Sequence, residues 1–197
     1  MRLILASGSA TRATLLKNAG VTFATEPSRV DERALEAPLL ANGRGSDEIA
    51  VALAEAKAID VSGREPDALV IGADQTLDLA GERFTKPANN AEAREQLSRL
   101  SGKTHRLHSA VTVAENGKVL WRHLDSASLT MRALEPAAID AYLAAAGDRV
   151  TESAGGYQVE GQGIRLFEKI AGDHFTILGL PLIPLLDYLR TRGVLPW

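Results

Sequence analysis

Apolar and polar positions alternate along this chain in two rhythms, and their order predicts a mixed α/β fold. Leu3-Ile4-Leu5-Ala6 is an apolar run too short for a helix. It is cut off by Ser7-Gly8-Ser9, after which Leu15, Leu16 and Ala19 recur at helical spacing. The opening stretch therefore reads as strand, hydroxyl-rich turn, helix. Val21 to Glu26 alternates loosely up to Pro27, predicting a second short strand, and Ser28 to Arg33 reads as a charged loop. Ala37 to Gly45 is punctuated by proline and glycine and predicts irregular backbone. A helix follows from Ser46 or Asp47, carrying Ile49, Leu53, Ala56 and Ala58, with Lys57 near its end. Ala68-Leu69-Val70-Ile71 is the next buried strand, expected to stop at Gly72-Ala73-Asp74-Gln75.

Further along, Ala80-Gly81 predicts a hairpin, and Lys86-Pro87 leads into a helix capped at Asn89 or Asn90 that runs to about Leu100. From Thr104 the rhythm is that of long strands, through Leu107, Ser109, Val111 and Val113, then Asn116-Gly117, then Val119 and Trp121 onward to Met131. Asn-Gly between two alternating runs is the strongest hairpin signal in the chain. Pro136 opens an alanine-rich helix ended by Gly147. Gly155, Gly156, Gly161 and Gly163, around Tyr157 and Gln158, imply close backbone approach, either to a ligand or in tight turns. A strand over Ile164–Ile170 and a helix from Pro181 to Arg192, stopped by Gly193, close the chain. No linker or internal repeat divides it, so a single domain over residues 1–197 is expected.

Composition narrows the function. With 45% hydrophobic and 24% charged residues, 17 glycines and 8 prolines, the chain is that of an ordinary globular protein. It has no cysteine, which excludes disulfides, thiolate metal sites and a cysteine nucleophile, and which suits a reducing cytoplasm. The net charge is −3 and no dense Lys/Arg block appears, so a polymeric nucleic-acid partner is not expected. The apolar start lacks a basic flank and no run approaches membrane-spanning length, so export and membrane insertion are not expected either.

Chemistry-bearing residues collect at predicted strand ends and helix starts. Ser7, Ser9 and Arg12 surround a helix N-terminus, where free N–H groups favour phosphate oxygens. Equally, Ser9 is a helix cap and Arg12 a surface residue. Asp74, expected just past an interior strand, is the first choice for catalysis, with a turn aspartate as the bland account. Glu32, beside Asp31, suits a hard cation or a helix cap, and Lys57 either complements a helix dipole or points into a site. Lys86 is held extended by the proline after it, which presents its ammonium at a fixed place. His105, His108 and His123 lack metal-ligand spacing and read as structural or surface histidines. Cations for phosphates, with acids for a divalent ion and a water, suit hydrolysis of a phosphoanhydride. No Walker loop, dinucleotide-binding glycine motif or Gly-x-Ser-x-Gly elbow is present.

At these residues the chain resembles the Maf-like nucleoside triphosphate pyrophosphatases. Leu5-Ala6-Ser7-Gly8-Ser9 to Arg12 resembles the family's N-terminal element. Val30-Asp31-Glu32, Gly72-Ala73-Asp74, Lys86-Pro87, Ser101 to His105 and Ala154 through Gly161 follow in the family's order and spacing. Ala10 and Thr11 depart from the proline and first arginine that often stand there. The resemblance implies a Maf/ITPase-like fold, with a twisted mixed sheet flanked by helices, two lobes around a central cleft, and a homodimer. It also implies cleavage between the α and β phosphates with a divalent cation, magnesium or manganese. Asp74 is then the general base, Glu32 and Asp74 the metal-associated acids, and Ser7, Ser9, Arg12, Lys57 and Lys86 the triphosphate ligands. Thr11, Gln75 and Glu160 stand where a branch acting on 7-methyl-GTP separates from one acting on dTTP and UTP. A carboxylate accepts from adjacent guanine N1–H and N2–H₂ donors, so Glu160 favours 7-methyl-GTP. The alternatives are a dTTP/UTP pyrophosphatase of the same family and a non-hydrolysing nucleotide sensor that regulates septum formation.

Overall fold

In the computed structural model, which describes residues 2–197, the chain forms two compact units from interleaved segments. The first takes the chain up to Gln75, then His108–Asp125 and Asp173–Trp197; the second takes Thr76–Leu107 and Ser126–Gly172. The strands are β1 (Arg2–Leu5), β2 (Ala24–Thr25), β3 (Ala68–Leu79), β4 (Glu82–Phe84), β5 (Thr104–Glu115), β6 (Lys118–Met131) and β7 (Phe167–Ala171). The α-helices are α1 (Ala10–Asn18), α2 (Glu32–Ala41), α3 (Ser46–Arg64), α4 (Asn90–Leu100), α5 (Pro136–Ala146), α6 (His174–Ile177) and α7 (Leu182–Thr191). The mixed α/β class expected from the sequence is therefore the observed one.

In the first unit the strand order is β2-β1-β3-β5-β6, with β1 parallel to both neighbours, Ile4 lying opposite Ala24 and Val70. Such strands are apolar on both sides because helices cover both faces. On one face Leu3, Leu5, Leu69, Ile71, Val111 and Val113 pack against Leu15 and Leu16 of α1 and Leu182, Leu185 and Leu189 of α7. On the other, Ile4, Ala68 and Val70 meet Val61 of α3, and Ala110 meets Ala50 and Ala54. Each fully buried leucine contributes about 1.5–3 kcal/mol through the surface it removes from water. The Asn116-Gly117 hairpin forms as expected, with φ of 49° and 73°.

Three local expectations are corrected. β3 does not stop at Gly72 but continues to Leu79, so Asp74 sits within a strand and is neither past a strand end nor in a turn. Gly72 is required by packing: a Cβ there would lie 2.2 Å from the Ala54 carbonyl oxygen and 2.6 Å from the Ala58 nitrogen. Helix α2 occupies much of the segments expected to be loop and irregular backbone, started by Asp31, whose side chain accepts from the Ala34 N–H at 3.0 Å. It tolerates Pro38 because none of its residues is buried, so the carbonyl that loses a partner can bond to water. α3 runs to Arg64, which leaves Lys57 well short of the last turn and removes the helix-dipole account of it.

In the second unit β3 turns back through Ala80 and Gly81, with φ of 54° and 88°, into β4, as the hairpin signal predicted. Asn89 caps α4, and α5 begins at Pro136 and ends at Gly147. Between Ala154 and Gly163, Gly155 and Gly156 take positive φ of 84° and 72°, and Gly155 and Gly163 sit where the chain approaches itself closely. A Cβ on Gly155 would meet Leu77 at 2.8 Å, and one on Gly163 would meet the Gln158 carbonyl at 2.4 Å. Gln162–Leu166 is a 3-10 turn, so β7 starts later than the strand expected from Ile164. Buried His105 lies 2.6 Å through Nε2 from the Tyr157 hydroxyl and packs on Phe167. Among the described residues no helix is long and apolar enough to cross a membrane.

Candidate active site

The residues that carry chemistry in the first unit are arranged around β3. Successive side chains leave a strand on opposite faces. Gly72 and Asp74 therefore face α3, while Ala73 and Gln75 face α1 and α6. Because Gly72 lets α3 press close, Lys57 on that helix reaches Asp74, its Nζ donating to Oδ1 at 2.6 Å. The same ammonium lies 2.8 Å from Oε1 of Glu32, at the start of α2. Lys57 and Asp74 side chains are only 9% and 10% exposed, whereas Glu32 is half-exposed, so the contact has a dry end and a wet end. Burial pushes the Asp74 carboxyl above the usual carboxylate range. Lys57 and Arg12 oppose that shift, and the charge of Glu32 adds to it.

Ser7, Ser9 and Arg12 form a second cluster at the start of α1. Ser9 does cap the helix, its hydroxyl accepting from the Arg12 N–H at 3.3 Å, and buried Ser7 accepts from the Ser9 N–H at 3.2 Å. Arg12 is not a solvated surface residue. Its Nε donates to Gly179 O at 2.8 Å, and its Nη1 donates to Ala73 O at 2.9 Å and Ser7 Oγ at 3.3 Å. Burial lowers its pKa from the ordinary value, while the charges of Asp74 and Glu32 act the other way. Gln75 donates through Nε2 to Ser109 Oγ and to the carbonyls of Thr176 and Ile177. Thr11 is half-buried on the first turn of α1.

The first unit thus gathers Ser7, Ser9, Thr11, Arg12, Glu32, Lys57, Asp74 and Gln75. Lys86 and Glu160 belong to the second unit and are both exposed, Lys86 just after β4 and Glu160 where its charge helps raise the Tyr142 hydroxyl pKa, after burial of that ring. Ser109 and Gly179 were not anticipated as site residues. Ser109 had a visible signal, a polar residue at the inward register of β5 between Leu107 and Val111; a backbone carbonyl such as that of Gly179 has none.

Among the described residues no group of three or more His, Cys, Asp or Glu is placed to hold a metal ion. Glu32 and Asp74 nevertheless converge on one cation, the Lys57 ammonium, and both offer hard carboxylate oxygens. That donor set fits a magnesium-type ion, which takes one or two carboxylates and fills its shell with water and phosphate oxygens.

A family profile described as Maf-like protein matches residues 2–192. The chain is similar to the 7-methyl-GTP pyrophosphatase of Brucella suis biovar 1 (strain 1330), 56% identical over 96% of each chain. It is also similar to the 7-methyl-GTP pyrophosphatase of Mesorhizobium japonicum, 54% identical over 98% of each. A nucleoside triphosphate pyrophosphatase of Rhodopseudomonas palustris (strain BisB18) is 53% identical, over 98% of this chain and 95% of that one. With the profile spanning β1 through α7 and these relatives aligned nearly end to end, the chain belongs to the Maf-like protein family.

Proposed function

We propose that this protein hydrolyses a nucleoside triphosphate between its α and β phosphates, releasing a nucleoside monophosphate and pyrophosphate, and that 7-methyl-GTP is its preferred substrate. The carrying observation is the buried Asp74 carboxylate gripped by Lys57, with Glu32 on the same ammonium. Lys57 occupies Oδ1, which leaves Oδ2 to take a proton from an attacking water. Burial makes that oxygen more basic than an exposed aspartate, which suits a general base near neutral pH. Water adds at phosphorus, its proton passes to Asp74, and the bridging oxygen leaves with pyrophosphate. Ser7, Ser9, Arg12 and Lys57 hold the triphosphate, and the family resemblance adds Lys86 to the phosphate ligands. Arg12 does so through Nη2, since Nε and Nη1 are spent on Gly179, Ala73 and Ser7. A magnesium or manganese ion on Glu32 and Asp74 would supply further stabilisation of phosphate charge.

The preference for 7-methyl-GTP is supported by the names of the relatives and by Glu160. Methylation at N7 adds positive charge to guanine, which makes N1–H a better donor to a carboxylate. A homodimer is suggested by the family resemblance and a cytoplasmic setting by the cysteine-free composition; sedimentation equilibrium checks the first.

Pyrophosphate release from 7-methyl-GTP, GTP, dTTP and UTP, with magnesium or manganese, is the test. The expected result is the highest kcat/KM for 7-methyl-GTP, and a loss in Asp74→Asn of about a hundredfold or more, the usual order for a general base. Preference for dTTP or UTP would move the protein to the other branch. Tight nucleotide binding without pyrophosphate release would make it a sensor.

A further inference from the structure

The Gln75 side chain is already committed on one end. Its Nε2 lies 3.0 Å from Ser109 Oγ, 3.1 Å from Thr176 O and 3.0 Å from Ile177 O. A carbonyl oxygen only accepts, so the end of the amide that faces two carbonyls is the NH₂, and chemistry fixes the orientation. Ser109 closes the arrangement. Fully buried, it spends its own proton on Thr176 O at 2.7 Å and can only accept from Gln75. Thr176 is in turn pinned by Asp173, which caps α6, and by its hydroxyl bond to Asp125 at 2.9 Å. Oε1 is left at the other end of the amide, beside Arg12. A Cβ built on Gly179 would lie 3.5 Å from Gln75 Oε1 and 3.6 Å from both Nε and Nη2 of Arg12. Gly179 has φ of +92°, a conformation other residues rarely adopt, so that space stays open.

From this geometry we infer that Ser109 is a positioning residue for base selection: with the carbonyls of Thr176 and Ile177 it holds Gln75 so that an acceptor, and no donor, is offered to the substrate. A freely rotating glutamine amide presents a donor and an acceptor side by side, which matches uracil and thymine. Locked with its NH₂ turned inward, it favours a base that presents donors, as guanine does at N1 and N2. This role presupposes the base-selective hydrolysis proposed above and adds a second, independent discriminator to Glu160.

Three variants and one spectrum test it. In wild type the Gln75 side-chain NH₂ resonances, identified by their loss in Gln75→Met, should exchange slowly with solvent and stay in place on saturation with the α,β-methylene analogue of 7-methyl-GTP. Ser109→Ala should bring them into fast exchange. It should also lower the ratio of kcat/KM for 7-methyl-GTP over UTP by about tenfold, the order of one hydrogen bond. A merely structural role would lower both kcat/KM values together and leave the ratio alone. Gln75→Glu should melt well below wild type, because a carboxylate oxygen would then face two carbonyls. An unchanged ratio in Ser109→Ala, or a Gln75→Glu protein as stable as wild type, overturns the inference. If no triphosphate is hydrolysed, the amide spectrum, the melting of Gln75→Glu and the ratio of Kd values for the methylene analogues still decide it, so the two failures are told apart.

Discussion

Burying Lys57 against Asp74 takes two charges out of water, and the arrangement is stable only while both partners are present. Lys57→Met should cost about 3–5 kcal/mol at pH 8, where a bare carboxylate would be left inside. Asp74, already raised by burial, would rise further without its ammonium. A group whose folded pKa lies above its unfolded value stabilises below the unfolded value and loses that stabilisation as pH rises through the folded one. The cost of Lys57→Met should therefore shrink at pH 5, and urea titrations at the two pH values check this; equal costs would mean that Asp74 is uncharged in the pair. At this scale the sequence was partly legible. Asp74, Glu32 and Lys57 stood out by residue type, but their meeting on one ammonium depends on where α3 ends, which apolar periodicity alone leaves open.

Between elements, the contact of α3 with β3 is made by residues with almost no side chain. Gly72→Ala would drive a Cβ into the Ala54 carbonyl, and overpacking of this kind costs about 1–3 kcal/mol or more because backbone must move. The movement carries Lys57 off Asp74, so kcat should fall in the variant even at temperatures where it stays folded. Gly63→Ala, on helix α3 that Gly72 packs against, is the control. Nothing lies within 4 Å of its built Cβ, so the exchange should raise stability by about 0.5–1 kcal/mol and leave kcat alone. Differential scanning calorimetry and steady-state kinetics on the pair separate packing from helix propensity. The glycine that looked like a strand breaker is a packing glycine, since a turn and a close approach select the same residue. Helix α2 was hidden for a related reason. Pro38 forbids an internal hydrogen bond, and a helix with no buried residue tolerates that loss because water can take the freed carbonyl.

For the molecule as a whole, the acid limit of stability is set in part by His105. Its pKa is lowered by burial to about 4, from an ordinary value near 6.5, and its Nδ1 has no hydrogen-bond partner. A histidine depressed in the folded state favours folding above its unfolded pKa and withdraws that support as pH falls toward the folded one. Stability should therefore decline between about pH 6.5 and pH 4, by an amount on the order of 3 kcal/mol. His105→Phe should flatten the decline, as followed by thermal melting across that range. The division into two units is hidden in the sequence because three of its four boundaries fall inside β3, β5 and β6, where the strand pattern runs on without a linker, and the fourth falls in the short turn at Gly172 and Asp173.

Asp74 and Gln75 are neighbours in sequence, yet one turns toward α3 and the other toward α6. On the roles proposed above, cutting and choosing are separate trades on opposite sides of one strand. A protein crippled for the first by Asp74→Asn keeps the tools of the second. Fixed to a resin and washed with extract, it becomes a fishing line for uncut triphosphates, whose masses would name what this chain meets in its own cell.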